Sequence, residues 1–249
     1  EGVVCHVRTV NPLTDVVQMH FVMPSHMADY KADKTPVAIR EHEKVAVAYG
    51  NVTLNLALEV TDRIKAGEFT WAKDFKNLHP SPFGQQLYAN SIRRLFEAAC
   101  AEPLPVAAVP HPQPTPVDPR SYARGRFGDI ADARIIKGFT LEKAWKPKDG
   151  KGTRAGFVNV PALVGTEPGD VFEFDFEGTG VGLFITAGPD AGKIDFSIDG
   201  GAYRSIDTIT RWSRGLHLPW AVILNDGLKA GSHAVKVRIA EGQNAKRTG

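Results

Sequence analysis

The chain has 249 residues, with 30 Lys+Arg against 28 Asp+Glu and a formal net charge of +2. That length holds one large domain or two small ones and amply supports a buried core. The balanced charge gives no sign of a nucleic-acid or polybasic membrane surface, and no apolar run reaches the roughly 20 residues of a membrane-spanning helix. Residue 1 opens directly in a helical pattern, without the order of charged, apolar and small residues that marks a signal peptide. Cys5 and Cys100 follow no disulfide spacing and are expected to be buried free thiols, which leaves the compartment open.

Val3, Val4, Val7 and Val10 have helical spacing that ends at Asn11-Pro12. Asp15 to Met23 is β-branched and apolar and predicts a buried parallel strand. Pro24-Ser25-His26-Met27 is then the loop at its C-terminal end, where ligands bind in an open α/β sheet. Ser25 and His26 are candidates there, as a structural or substrate-lining loop in preference to groups that do chemistry directly. Pro36 opens a helix with Val37, Ile39, Val45 and Val47 as much of its apolar surface, and Gly50 stops it. His42, among Glu41, Glu43 and Lys44, belongs on a solvated face. A short strand over Asn51–Leu56 and a helix running to Gly67 follow. The last helix of this part covers about Pro82 to Cys100.

Just before that helix stands Asn77-Leu78-His79-Pro80-Ser81-Pro82-Phe83-Gly84. A histidine fixed by a proline at a loop-to-helix junction, with a docked helix behind it, is held still enough for acid/base work. An isolated His-Pro is more simply an ordinary helix-start loop. The longer block, with its upstream strand and closing helix, resembles the last motif of the SGNH/GDSL hydrolases, which are serine esterases of flavodoxin-like α/β fold. The resemblance covers roughly residues 1–100. It implies that His79 is the general base of a carboxylic-ester hydrolase that needs neither metal nor cofactor. That family usually has an aspartate three residues before the histidine; here that position is Lys76. Asp74 is the nearest acid. Either it orients the imidazole, or a backbone carbonyl does so in a Ser–His dyad.

The family's Gly-Asp-Ser nucleophile motif is absent: Gly128-Asp129 precedes Ile130, and Gly169-Asp170 precedes Val171. Two parallel strands do not make a stable doubly wound sheet. The chain is therefore expected to start partway through the hydrolase domain. The serine and oxyanion hole would lie on a missing N-terminal segment or a second chain.

Between Glu102 and Pro119 seven of eighteen residues are proline, which predicts an extended, semi-rigid connector over 102–122, packed through Val106–Val109. After it the period changes from helical to alternating. Phe172, Phe174 and Phe176 alternate with acids, Val181, Leu183 and Ile185 form the next run, and Asp199-Gly200-Gly201 marks a hairpin. About eight short strands over 123–249 predict a β-sandwich of jelly-roll type. This part resembles the accessory β-domains of carbohydrate-active enzymes, on Gly188-Pro189-Asp190-Ala191-Gly192, Asp199-Gly200-Gly201 and the late Gly231-Ser232-His233 strand. Such domains stack exposed aromatics on sugar rings. Trp145, Tyr203, Trp212 and Trp220 are the candidates, although packing is the simpler reading of all four, Trp220 above all. Trp212, in the polar Thr210–Arg214 loop, is the most suggestive, and His233 reads as structural.

The chain thus reads as part of an α/β esterase joined to a sandwich. Its expected substrate is an acylated carbohydrate, plausibly acetylated, or a small ester, with no nucleic acid or membrane as partner and a secreted or periplasmic setting slightly favoured. The competing reading is a non-catalytic glycan- or subunit-binding module carrying a hydrolase remnant.

Overall fold

The computed structural model describes residues 1–103 and 105–241; Leu104 of the connector and the last eight positions of the sandwich range, 242–249, lie outside the described residues. The chain divides into two compact units, Glu1–Gly125 and Arg126–Gly249.

In the first unit α1 (Gly2–Val10), β1 (Val17–Met19), α2 (Pro24–Lys31), α3 (Val37–Tyr49), β2 (Val52–Leu54) and α4 (Leu56–Lys65) follow in order. A single π turn (Trp71–Phe75) and α5 (Pro82–Ala99) close it. β1 and β2 pair in parallel, Val17 opposite Val52 and Met19 opposite Leu54. Gly50 takes the left-handed conformation, φ 60°, that ends α3. Asn55 caps α4 by accepting from Leu58 N at 3.0 Å. The core gathers Val22, Ile39, Leu56, Val60, Phe75 and Leu87, so residues from all the elements after β1 meet in it.

Several expectations are corrected here. The strand over Asp15–Met23 contracts to three residues, and Val17 and Met19 are each 39% exposed. A parallel strand is buried only when layers cover both faces, and among the described residues β1 pairs with β2 alone. The Pro24–Met27 loop is instead the first turn of α2, because proline at the first helical position is preorganised for it. In α1 the buried residues are Val4, Cys5 and Arg8, while Val3 and Val10 point outward. In α3 they are Ile39, Ala46 and Tyr49, not Val37 and Val47. Both cysteines are free, but only Cys5 is buried; Cys100, just past the end of α5, is exposed. The connector does lie along the first unit. The contact runs through His111, whose N–H donates to Pro12 O at 2.9 Å, and Pro112, whose carbonyl accepts from Arg8. Val106 and Val109 are exposed.

The second unit is a β-sandwich. Nine strands are found among its described residues: β3 (Arg134–Lys137), β4 (Thr140–Trp145), β5 (Val160–Val164), β6 (Val171–Gly178), β7 (Val181–Ala187), β8 (Lys193–Ile198), β9 (Arg204–Asp207), β10 (Leu218–Asn225) and β11 (Gly231–Ile239). Five form an antiparallel sheet in the order β3-β6-β11-β8-β9, and β7 pairs with β10 and β4 with β5. Phe172, Phe196, Val235 and Val237 of the five-stranded sheet pack with Val222 and Leu224 of β10 and Leu183 and Ile185 of β7. The alternation read in β6 holds: its phenylalanines join this core, and its acids face outward, where Arg134 meets Asp175 at 2.7 Å and Glu173 at 3.3 Å. Asp199 (φ 53°) and Gly200 (φ 71°) make the left-handed pair that turns β8 into β9.

Candidate active site

The His79 loop is built from short-range rules. Thr70 caps the π turn by accepting from Lys73 N. Phe75, fully buried, anchors the end of that turn against Tyr88 of α5, ring centroids 5.6 Å apart. The chain then reverses through Lys76, whose φ is 79°. Ser81 N donates to Phe75 O at 3.0 Å, and the Ser81 hydroxyl donates to Asp74 O. The same hydroxyl caps α5 by accepting from Gly84 N at 3.4 Å. Between these anchors His79 N donates to Asn77 Oδ1 at 2.7 Å, and Gln85 Nε2 donates to Pro80 O at 3.0 Å. Gly84 closes the arrangement. A Cβ there would lie 2.6 Å from Pro80 Cβ and 2.8 Å from the Phe75 ring, so only glycine lets α5 approach this closely. The backbone of His79 is thus fixed on both sides, with the residue itself exposed.

Asp74 does not face the imidazole. Its carboxylate accepts from Thr70 N at 2.7 Å and Thr70 Oγ1 at 3.0 Å, and these bonds hold it below the usual carboxylate range. The π turn points Asp74 back at its own capping residue, a direction that depends on the turn and leaves no mark in the sequence. Among the described residues no hydrogen bond reaches the His79 ring. Ser25 is exposed on the first turn of α2, and His26 Nδ1 lies 3.2 Å from Phe21 O. The exit of β1 does pack on the helix that follows His79: Tyr88 OH accepts from Val22 N at 3.2 Å, and Phe21 meets the Tyr88 ring edge-on at 5.1 Å. No hydrogen bond joins Ser25 or His26 to His79 among the described residues.

In the second unit Trp212 is 60% exposed, and Arg211 stacks over its ring at 4.4 Å. It lines an open groove of about 600 Å³ with Arg154, Ala155, Phe157, Leu216, Leu218, Pro219 and Trp220. Trp220, the strongest core expectation of the four aromatics, is 40% exposed at this groove. It shares its face of β10 with Val222 and Leu224 and lies opposite Ile185 of β7, so it is exposed because it stands beyond the end of the core and not because it faces the other way. Trp145 instead packs edge-on against His217 at 6.0 Å. Tyr203 is stacked under Arg238 at 4.1 Å.

His217 belongs to no motif in the sequence. Its side chain is 1% exposed, with Nε2 2.9 Å from Asp149 Oδ2 and Nδ1 3.6 Å from Asp190 Oδ1. His217 N donates to Gly152 O at 2.8 Å. This histidine ties the turns at Asp149 and Asp190 to the strand that carries Leu218 and Trp220. The one signal for it is its place between Leu216 and Leu218 at a strand entry. His233 is structural, as read: Nδ1 meets Asp199 Oδ2 at 2.7 Å and Nε2 meets Lys229 O at 2.8 Å.

An α/β unit followed by a β-sandwich is the class this fold defines. Solved structures resemble this fold. A two-domain esterase active on acetylated mannans superposes with a TM-score of 0.73 at 18% identity, over 98% of this chain and 63% of that one. The same kind of esterase co-crystallised with mannopentaose gives 0.66 at 17% identity, over 98% and 62%. The chain therefore spans less than two thirds of the length of the structures it resembles, and the likeness is one of fold. No protein-family model and no functionally curated protein matches the sequence.

Proposed function

We propose that these residues are the histidine-bearing part of a serine esterase of SGNH/GDSL type that removes acetyl or other short acyl groups from a carbohydrate. The observation that carries this is the His79 loop, a histidine backbone locked between a π turn anchored by the buried Phe75 and a glycine-docked helix. The shared fold with an esterase active on acetylated mannans supports it. In this reading β1 and β2 are the end of a flavodoxin-like sheet, and the sandwich is of jelly-roll type. The serine and oxyanion donors lie on polypeptide beyond these 249 residues. The exposed Val17, Met19 and Val52 on one face of the strand pair, and the buried Gln18 Nε2, which has no partner among the described residues, fit a surface that further elements cover. The serine attacks the ester carbonyl, His79 takes its proton, and the imidazole later activates the water that releases the acid. Since Asp74 is engaged by Thr70, a backbone carbonyl is the better candidate to orient the ring. The Ser25 and His26 turn is a candidate substrate lining.

A fluorophosphonate serine probe tests this on the complete enzyme. Label on a serine outside residues 1–249, lost turnover in His79→Ala and an unchanged circular dichroism spectrum are expected. Full activity of His79→Ala would end the idea. A second reading, a non-catalytic binding module, is favoured by the unpartnered His79 ring. It predicts no label on any associated serine.

A further inference from the structure

The groove around Trp212 carries a charge pattern that neither the sequence reading nor the fold explains. Two segments frame it. The first, 146–154, bears Lys146, Lys148, Lys151 and Arg154; the second, 211–214, bears Arg211 and Arg214. All six are exposed, and among the described residues none is in an ion pair. On the five-stranded sheet, by contrast, Arg134, Lys236 and Arg238 are paired with Glu173, Asp175 and Asp195. The acid within the first segment, Asp149, is turned to the buried His217 and to Lys151 N, and Asp190 faces the other side of the same ring. The groove lining itself has one charged residue, Arg154, and three exposed aromatics, Phe157, Trp212 and Trp220. Arg211 lies on one face of the Trp212 indole.

We infer that this groove binds an acidic saccharide, one whose pyranose rings carry carboxylates, as uronic acids do. Aromatic faces take the C–H faces of the sugar rings. Arginine presents a planar fork that matches a carboxylate with two parallel N–H donors. Unpaired cations at a concave rim raise the local concentration of an anionic ligand, and the groove volume lies in the ordinary range for a ligand site. The near-neutral total charge and a single arginine in the groove lining fit a short acidic glycan better than a nucleic acid. The inference rests on the reading of the sandwich as a carbohydrate-binding unit and adds the class of sugar.

Isothermal titration calorimetry on the full chain tests it, with trigalacturonate, neutral mannotriose and a single-stranded oligonucleotide as probes. The acidic trisaccharide is expected to bind at least about tenfold more tightly than the neutral one, with the difference shrinking as salt rises. Trp212→Ala should abolish binding of either sugar, and Arg154→Gln with Arg214→Gln should bring the acidic sugar down to the neutral level. All these residues are exposed, so an unchanged far-ultraviolet spectrum will attend each variant. Equal affinity for the two sugars would overturn the acid preference and leave the carbohydrate reading standing. Tighter binding of the oligonucleotide, or no binding of any probe, would overturn the inference itself. Ester turnover by the complete enzyme, read through His79, is decided separately.

Discussion

Gly84 is the residue on which the His79 loop depends most. Its missing Cβ is the space that Pro80 and Phe75 occupy. Gly84→Ala is expected to destabilise the first unit by about 1–3 kcal/mol, the usual cost of overpacking, and to lower turnover in the complete enzyme as Pro80 and its neighbour His79 shift. Thermal unfolding and kcat check the two effects. Asp74 gives a sharper test. An acid that orients a catalytic histidine is worth about four orders of magnitude in kcat, whereas Asp74 here caps a turn. Asp74→Asn should therefore leave kcat/KM within about tenfold of wild type and lower thermal stability instead.

His233 and Asp199 yield a pH prediction at the same scale. Asp199 and the Lys229 carbonyl raise the His233 pKa above its ordinary 6.5. The raised pKa means that its contribution to stability is complete below 6.5 and is lost as pH climbs through the folded-state value. His233 and the Ala234 N–H hold Asp199 below its ordinary 3.8, so its share is present above 3.8 and is lost as pH falls through the lowered value. The melting-temperature difference between wild type and His233→Gln should be largest between these limits and should narrow on the alkaline side.

Among the elements, α5 was the easiest to read. Ser81 at its N-cap and Pro82 at its first position are local signals that the structure uses, while the apolar stripe is buried only as far as Ser91 and leaves Phe96 62% exposed. Loss of the cap in Ser81→Ala should cost about 1 kcal/mol, because the hydroxyl both accepts from Gly84 N and donates to Asp74 O. β1 was the hardest. Its composition asks for burial on both faces, yet its only partner among the described residues is β2. The apolar spacing in α1 and α3 was likewise real, but which residues of each helix faced inward depended on neighbours that a sequence does not display.

At the scale of the molecule, the exposed face of β1 and β2 belongs to the proposed function. Met19→Lys is expected to change the stability of these 249 residues little, since the side chain already reaches solvent at 39% exposure. In the complete enzyme it should lower activity and yield, which expression of both forms and ester turnover will show. Equal effects in the two would remove the covered-face argument.

The sequence by itself determined the two kinds of architecture and the place of His79, because period, caps and turn glycines act over a few residues and need no distant partner. It also pointed to Trp212, through a tryptophan set among polar neighbours. Only the tertiary structure decided that Asp74 turns to Thr70, that Trp220 opens onto a groove, and that His217 is buried between two aspartates. Each of those facts depends on the direction a side chain takes once segments far apart in the chain have packed, and packing is a property of all of them together.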